Sequence, residues 1–295
     1  MTGISLWLYV FFAGAVAMAI LWRAWRILRA CRSGKETPAA HPRPPFGDRC
    51  GTDLRTFFQK RWAAVLHTVL VVSFLGMCVD ALWYPLGAGG EAYRIFSAGN
   101  AALAAAAIAA AAGLLARPVR PIARYRSLSP AQRRDGFAVL SLEMVSAATL
   151  LAVYAGWQQG VWWHYGILLV FALYITFSKH LHIFLAPVYL AVFGRRETFS
   201  PDDMPEVTHE LDVLEGRAPA SETPPERMGA CWASDFTRGR LLSAFSCTEC
   251  GRCESVCPVV AASDVPFSPR KVVADVRRAA MGKAEGALYG KAITR

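Results

Sequence analysis

Five long apolar segments, at roughly residues 3–22, 62–84, 97–116, 137–157 and 162–193, dominate this sequence of 295 residues. Each approaches or exceeds the length of about twenty residues that crosses a hydrocarbon core of about 30 Å. In that core a backbone satisfies its hydrogen bonds only as helix or closed barrel. With 54% hydrophobic and 18% charged residues and a mean hydropathy of +0.30, a wholly soluble domain is excluded. The sequence therefore predicts a mainly α fold, a five-span transmembrane helical bundle. The third segment, mostly alanine, is the weakest of the five.

Charge orders these spans. Between the first two lie ten Lys/Arg against three Asp/Glu (Arg23 to Arg61), and between the third and fourth six Arg against one Asp (Arg117 to Asp135). The other two connections carry only Glu91 and Arg94, or nothing charged. Excess positive charge in alternate short loops orients a membrane protein with those loops inside. The N-terminus is thus expected outside, with Arg195, Arg196 and all that follows in the cytoplasm. Trp83, Tyr84, Trp157, Trp162 and Trp163 fall at the outer ends, where an interfacial aromatic belt is expected. The net charge of +10 is accounted for by topology, leaving no argument for nucleic-acid binding. Leu6 to Trp22, lacking a basic leader and followed by Arg23, Arg26, Arg29 and Arg32, reads as a retained anchor.

Three regions follow: a membrane domain over 1–196, an acidic linker over 197–230, and a small helical domain over 231–295. The linker holds eight Asp/Glu against Arg217 and Arg227 between positions 201 and 227, the composition of a solvated segment. Ser234 and Asp235 predict the cap of a short helix through Leu241, Leu242 and Phe245. Ser268 with Pro269 predicts the start of another through Val272, Val273 and Val276.

Between those helices stands CTECGRCESVCP, in which Cys247, Cys250, Cys253 and Cys257 follow the spacing C-x2-C-x2-C-x3-C-P. Three thiolates so spaced, with Gly251 easing the turn, wrap a [4Fe-4S] cubane. Zinc sites instead pair two C-x2-C units across a longer spacer. In two-cluster proteins the fourth cysteine of such a run, here Cys257, ligates the other cluster. The missing ligand would then come from Cys231, from a further run in a longer polypeptide, or from a partner subunit; the last two are the expectation.

His41 and His209 lie in polar segments and read as solvated surface, whereas His67, His164, His180 and His182 lie in or at the ends of spans, where ionisable groups are costly and commonly functional. On one continuous helix His164 and His182, 18 residues apart, lie five turns or about 27 Å apart on the same face. That placement suits two stacked haems. His67 is at the inner end of span two, at the depth of His182, so a bis-imidazole haem b between them closes the geometry. Opposite His164 the residue of matching depth is Met77, either an axial ligand or a core filler. His180, rotated by 160°, reads as structural, and Lys179 as a snorkelling cation or a partner for a haem propionate. Asp80 and Glu143 are either proton carriers for a quinone or helix-end carboxylates.

The span HYGILLVFALYITFSKHLHIFLAPV resembles the last helix of the respiratory nitrate reductase γ subunit, a five-span dihaem cytochrome b. In that family the second helix bears two histidines ten apart; His67 matches one and Met77 occupies the place of the other. Joined to DFTRGRLLSAFSCTECGRCESVCP, the whole resembles membrane-bound heterodisulfide-reductase-like iron-sulfur oxidoreductases, most of all the electron-transfer-flavoprotein:menaquinone oxidoreductase type. Relatives of that type continue into a second cysteine run and cysteine-rich catalytic domains. The resemblance implies a ferredoxin-like domain after the bundle, one or two haem b groups, menaquinone as acceptor and a reduced flavoprotein as donor, in a bacterial inner membrane. Alternative expectations are a quinol-linked heterodisulfide or sulfur-cycle thiol reductase subunit, and a non-catalytic membrane anchor for an iron-sulfur partner.

Overall fold

The computed structural model describes residues 3–36, 61–84, 90–116, 130–193, 205–220, 230–251, 253–254, 257–262 and 267–282. Both arginine-rich loops that order the topology, and His41 within the first, fall largely or wholly outside them. Among the described residues every regular element is helical, with a single isolated β-bridge between Lys35 and Thr237. The chain divides into two compact units, residues 1–23 with 50–183, and residues 24–49 with 184–295.

The first unit is built from α1 (Gly3–Arg32, whose first part belongs here), α2 (Arg61–Trp83), α3 (Glu91–Leu115), α4 (Pro130–Tyr154) and α5 (Gly160–Phe177). Five helices, Trp7–Arg32, Val65–Trp83, Glu91–Leu115, Arg133–Tyr154 and Gly160–Phe177, are long and apolar enough to cross a membrane. Trp7, Phe11, Leu82, Ile95 and Val170 stand exposed, as a lipid-facing surface requires. The alanine-rich span, weakest by sequence, is packed on both α2 and α4. Its buried Ala104, Ala107, Ala110 and Ala111 explain why: with little hydrophobic drive between helices in lipid, small side chains stabilise packing by letting backbones approach. The bundle core joins Phe74 and Met77 of α2, Ala104 of α3, Ala147 and Leu150 of α4, and Val161, Tyr165, Leu168, Phe171 and Ile175 of α5.

The fifth span departs from expectation. It does not run unbroken from 162 to 193: α5 ends at Phe177, Ser178 is extended (φ −94°, ψ 173°), Lys179–Leu181 form a 3-10 turn, and α6 begins at His182 and ends at Phe193. The Ser178 hydroxyl accepts a hydrogen bond from the His180 backbone N–H at 3.1 Å, so a helix-capping side chain restarts the chain inside an apolar run. Counting turns from His164 to His182 therefore fails, and the same-face argument with it. Pro187 inside α6 removes a further backbone donor, the one facing the Ile183 carbonyl.

In the second unit α7 (Pro205–Leu214) occupies part of the stretch expected to be an acidic linker. Helix α8 (Arg238–Phe245) is capped by Thr237, whose hydroxyl accepts from the Arg240 N–H at 3.3 Å, and not by Ser234 or Asp235. Extended Phe236 separates those two residues from the helix, and Asp235 instead accepts the N–H groups of Cys231 and Trp232 at 2.9 and 2.8 Å. A five-residue helix, α9 (Pro258–Ala262), follows the last clustered cysteine. Helix α10 (Pro269–Ala280) starts as expected, with Ser268 accepting from Lys271 N–H at 3.1 Å.

The segment after α1 belongs to this unit by direct pairing. Lys35 N–H donates to the Phe236 carbonyl at 2.9 Å and Arg238 N–H to the Lys35 carbonyl at 3.0 Å. Gly34 permits this approach, since a β-carbon there would lie 2.6 Å from the Phe236 oxygen and 2.8 Å from a Leu241 methyl. Gly34→Ala should destabilise the unit by about 1–3 kcal/mol, the usual range for overpacking. A lower melting temperature of the detergent-purified chain and faster proteolysis near residue 34 would register it.

Candidate functional site

The break at Ser178 brings functional side chains together. The His67 and His182 rings lie with centres 6.1 Å apart and planes within 16° of parallel. His182 Nδ1 lies 3.1 Å from the Lys179 carbonyl; a carbonyl only accepts, so Nδ1 carries the proton and Nε2 keeps its lone pair. The His180 ring sits 6.1 Å from that of His182, closer than a continuous helix would place it. Its Nδ1 is 3.6 Å from Asp135, whose carboxylate also pairs with Lys179 at 3.5 Å and accepts the Tyr174 hydroxyl at 2.8 Å. Lys179 is thus committed to a protein carboxylate. Beside His67 opens a cavity of about 270 Å³ lined mainly by apolar side chains, among them Phe74, Phe137 and Phe171, with Arg133, Glu143, Lys179 and His180 as further polar walls.

Toward the other end of the bundle His164 is 1% exposed. Its Nδ1 lies 3.0 Å from Thr149 Oγ1. That hydroxyl spends its own proton on the Val145 and Ser146 carbonyls at 2.9 and 3.0 Å, so it accepts from His164. Nε2 is left as a buried acceptor without a hydrogen-bond partner among the described residues. Such a fixed tautomer with its second nitrogen open is the arrangement of metal-binding histidines. Met77, fully buried, shares the core cluster with Val161 and Tyr165, which flank His164 in sequence. Thr149 is a partner that sequence reasoning missed, its only signal being a hydroxyl in an apolar run.

The buried carboxylates also differ from expectation. Asp80 does not reach an interface: at 3% exposure it accepts the Tyr93 and Tyr154 hydroxyls at 2.9 and 2.7 Å, and Asn100 Nδ2 donates to Tyr154 at 3.2 Å. This knot ties α2, α3 and α4 together; an asparagine inside the alanine run was its one sequence signal. Glu143, 4% exposed, lies well inside α4 with Oε1 unpartnered among the described residues. Of the residues nearest the end of the bundle, Trp83 meets Tyr93 edge-on and Phe96 at a tilt, while Gln158 and Gln159 lie exposed in the turn before α5.

The cysteine loop is a second constellation. None of Cys247, Cys250, Cys253 and Cys257 is joined in a disulfide, and no three His, Cys, Asp or Glu side chains among the described residues converge as ligands of one ion. The loop backbone is nonetheless shaped for anionic sulfur. Glu249 (φ 53°) and Gly251 (φ 72°) are left-handed, and the Glu249 N–H donates to Cys247 Sγ at 3.4 Å. Inward-turned amides of this kind form concavities that hold iron-sulfur clusters. The left-handed conformation costs a residue with a β-carbon about 1–2 kcal/mol, so Glu249 is held there by something else. Burial pushes the Cys247 thiol up, while the Glu249 amide and the Arg277 guanidinium act in the opposite sense. Four thiols of this spacing on such a backbone fit an iron-sulfur cluster as donor set.

Helices long and apolar enough to cross a membrane, a cysteine loop with iron-sulfur spacing and two histidines, His164 and His182, each holding one ring nitrogen by a hydrogen bond, are thus the features that set this chain apart. Two relatives share part of its sequence. Over 117 residues, 39% of this chain, it is 30% identical to a probable iron-sulfur-binding oxidoreductase, FadF, of Bacillus subtilis. Over 99 residues, 32% of the chain, it is 33% identical to a probable membrane-anchored ferredoxin of Chromohalobacter salexigens. The matches span only 14% and 13% of those proteins. No family model and no solved structure matches.

Asp80→Ala should cost about 1–3 kcal/mol by taking the acceptor from two half-buried tyrosine hydroxyls, and Asp80→Asn less, because the amide oxygen still accepts. Thermal unfolding of both variants in detergent measures the difference.

Proposed function

We propose that the chain is an electron conduit of a respiratory membrane, taking electrons from a cytoplasmic donor, a reduced flavoprotein such as electron-transfer flavoprotein, and delivering them to menaquinone in the bilayer. The observation that carries this reading is the His67–His182 pair. Their ring centres lie 6.1 Å apart and the Lys179 carbonyl leaves the second ring nitrogen of His182 able to bind a metal, so the two side chains would be the ones to hold a haem iron there. His67 and His182 would hold one haem b, and His164 with Met77 a second. Cys247, Cys250, Cys253 and Cys257 would ligate iron-sulfur clusters. When bound, these groups supply one-electron storage.

The chain's own residues then orient and insulate. The Lys179 carbonyl and Thr149 hydroxyl fix the two imidazole tautomers, which raises ligand basicity. Phe74, Phe137 and Phe171 keep the cavity beside His67 apolar, and Arg133 offers a cation to a carboxylate substituent. With the basic loops inside, the cysteine loop faces the cytoplasm and its donor. Cys257 serves a second cluster, completed by another cysteine run in a partner or in further polypeptide. The much greater length of both relatives supports this.

A second reading, a membrane anchor for an iron-sulfur partner without haem, is favoured by the membrane-anchored ferredoxin likeness. A pyridine haemochrome assay on the purified chain decides between them. Haem b near two per polypeptide upholds both sites, near one upholds the His67–His182 site alone, and zero overturns the conduit in favour of the anchor. His182→Ala should abolish the inner haem and menaquinone reduction together. Thr149→Val should weaken haem retention at His164 about 10–100-fold, the usual effect of losing a ligand's hydrogen-bond partner, and leave the His67–His182 site loaded.

A further inference from the structure

The two glutamates inside the cysteine run are both tied to one helix. Glu249, between Cys247 and Cys250, pairs with Arg277. Glu254, between Cys253 and Cys257, pairs with Arg270 at 3.2 Å and accepts the Ser268 hydroxyl. Arg270 and Arg277 are seven residues apart on α10, two turns of one face. These are not surface pairs: side-chain exposure is 11% and 13% for Arg270 and Glu254, and 22% and 13% for Arg277 and Glu249. Pairs so enclosed are weakly screened by solvent, and losing one partner leaves an uncompensated charge beside the thiols.

We propose that Arg270 and Arg277 are positioning residues for the iron-sulfur site: they clamp the cysteine loop through Glu254 and Glu249 and balance carboxylate charge that would otherwise lower the cluster's reduction potential. The clamp accounts for the left-handed backbone at Glu249, which the Arg277 pair holds open on the side of the Cys247 sulfur. It accounts too for the choice of charged residues at sites where the cysteine spacing alone asks only for a turn. Cluster potentials respond to net charge, hydrogen bonds to sulfur and solvent exposure. The pair at Glu249 acts on the first of these through charge and on the second through the amide it orients.

The inference rests on the iron-sulfur reading, and its test separates the two. Iron, sulfide and the EPR-monitored midpoint potential are measured on the full chain in detergent for wild type, Glu249→Gln, Arg277→Gln and the double variant. A wild-type chain unable to take up iron and sulfide would sink the iron-sulfur reading itself. With wild type loaded, the expected result is a higher potential for Glu249→Gln, a lower one for Arg277→Gln and a double variant near wild type, a sign reversal that a merely structural role would not give. Shifts of the same sign, or none, overturn the proposal. Should Arg277→Gln hold no cluster, recovery of the cluster in the double variant upholds the proposal, since the stranded carboxylate is then gone, and continued loss overturns it.

Discussion

A helix in hydrocarbon has no water to receive its polar side chains, so each one must find a partner within the protein or keep a purpose for remaining bare. That constraint sorts the interior of this bundle into two populations. Asp80, Tyr93, Tyr154 and the Asn100 amide nitrogen bond to one another, and Asp135 gathers Tyr174, Lys179 and His180. Ser73, Glu143, Ser146 and His164 keep an atom without a protein partner among the described residues. The first population fastens helices to each other; the second lies where a bound group or ordered water would complete it.

The cysteine loop obeys a related rule. Its sulfurs need anion-favouring surroundings, and the chain provides amides and arginines while placing two carboxylates among them. Charge is therefore balanced locally by α10. In both places the protein contributes geometry and electrostatics around groups that would do the redox work.

Much of this was legible from the residues. Hydropathy gave the five spans, because length and apolarity are local properties, and cysteine spacing gave the loop. The depth argument brought His67 and His182 to one level, and their rings do lie together. What failed was anything requiring continuity or tertiary choice. Ser178 carries no glycine or proline to announce a break, and only its capping hydroxyl reveals one. The cap of α8 moved to Thr237 because Phe236 is extended, which no propensity indicates. Asp80 was placed near an interface by position on its helix, whereas its burial follows from tyrosines on two other helices. Part of the acidic stretch, charged enough to suggest a linker, forms α7.

The Lys179 carbonyl that fixes the His182 ring is a backbone atom exposed by the interruption at Ser178. The hydrogen bond that orients that imidazole is consequently written into main-chain path. The bond to the ring does not depend on which side chain residue 179 carries, although Lys179 itself also pairs with Asp135, while a residue that restored an unbroken helix across 178 would turn the ring away. Sequence drift around this histidine is therefore a poor guide to its importance; the conserved quantity would be an irregularity of the backbone.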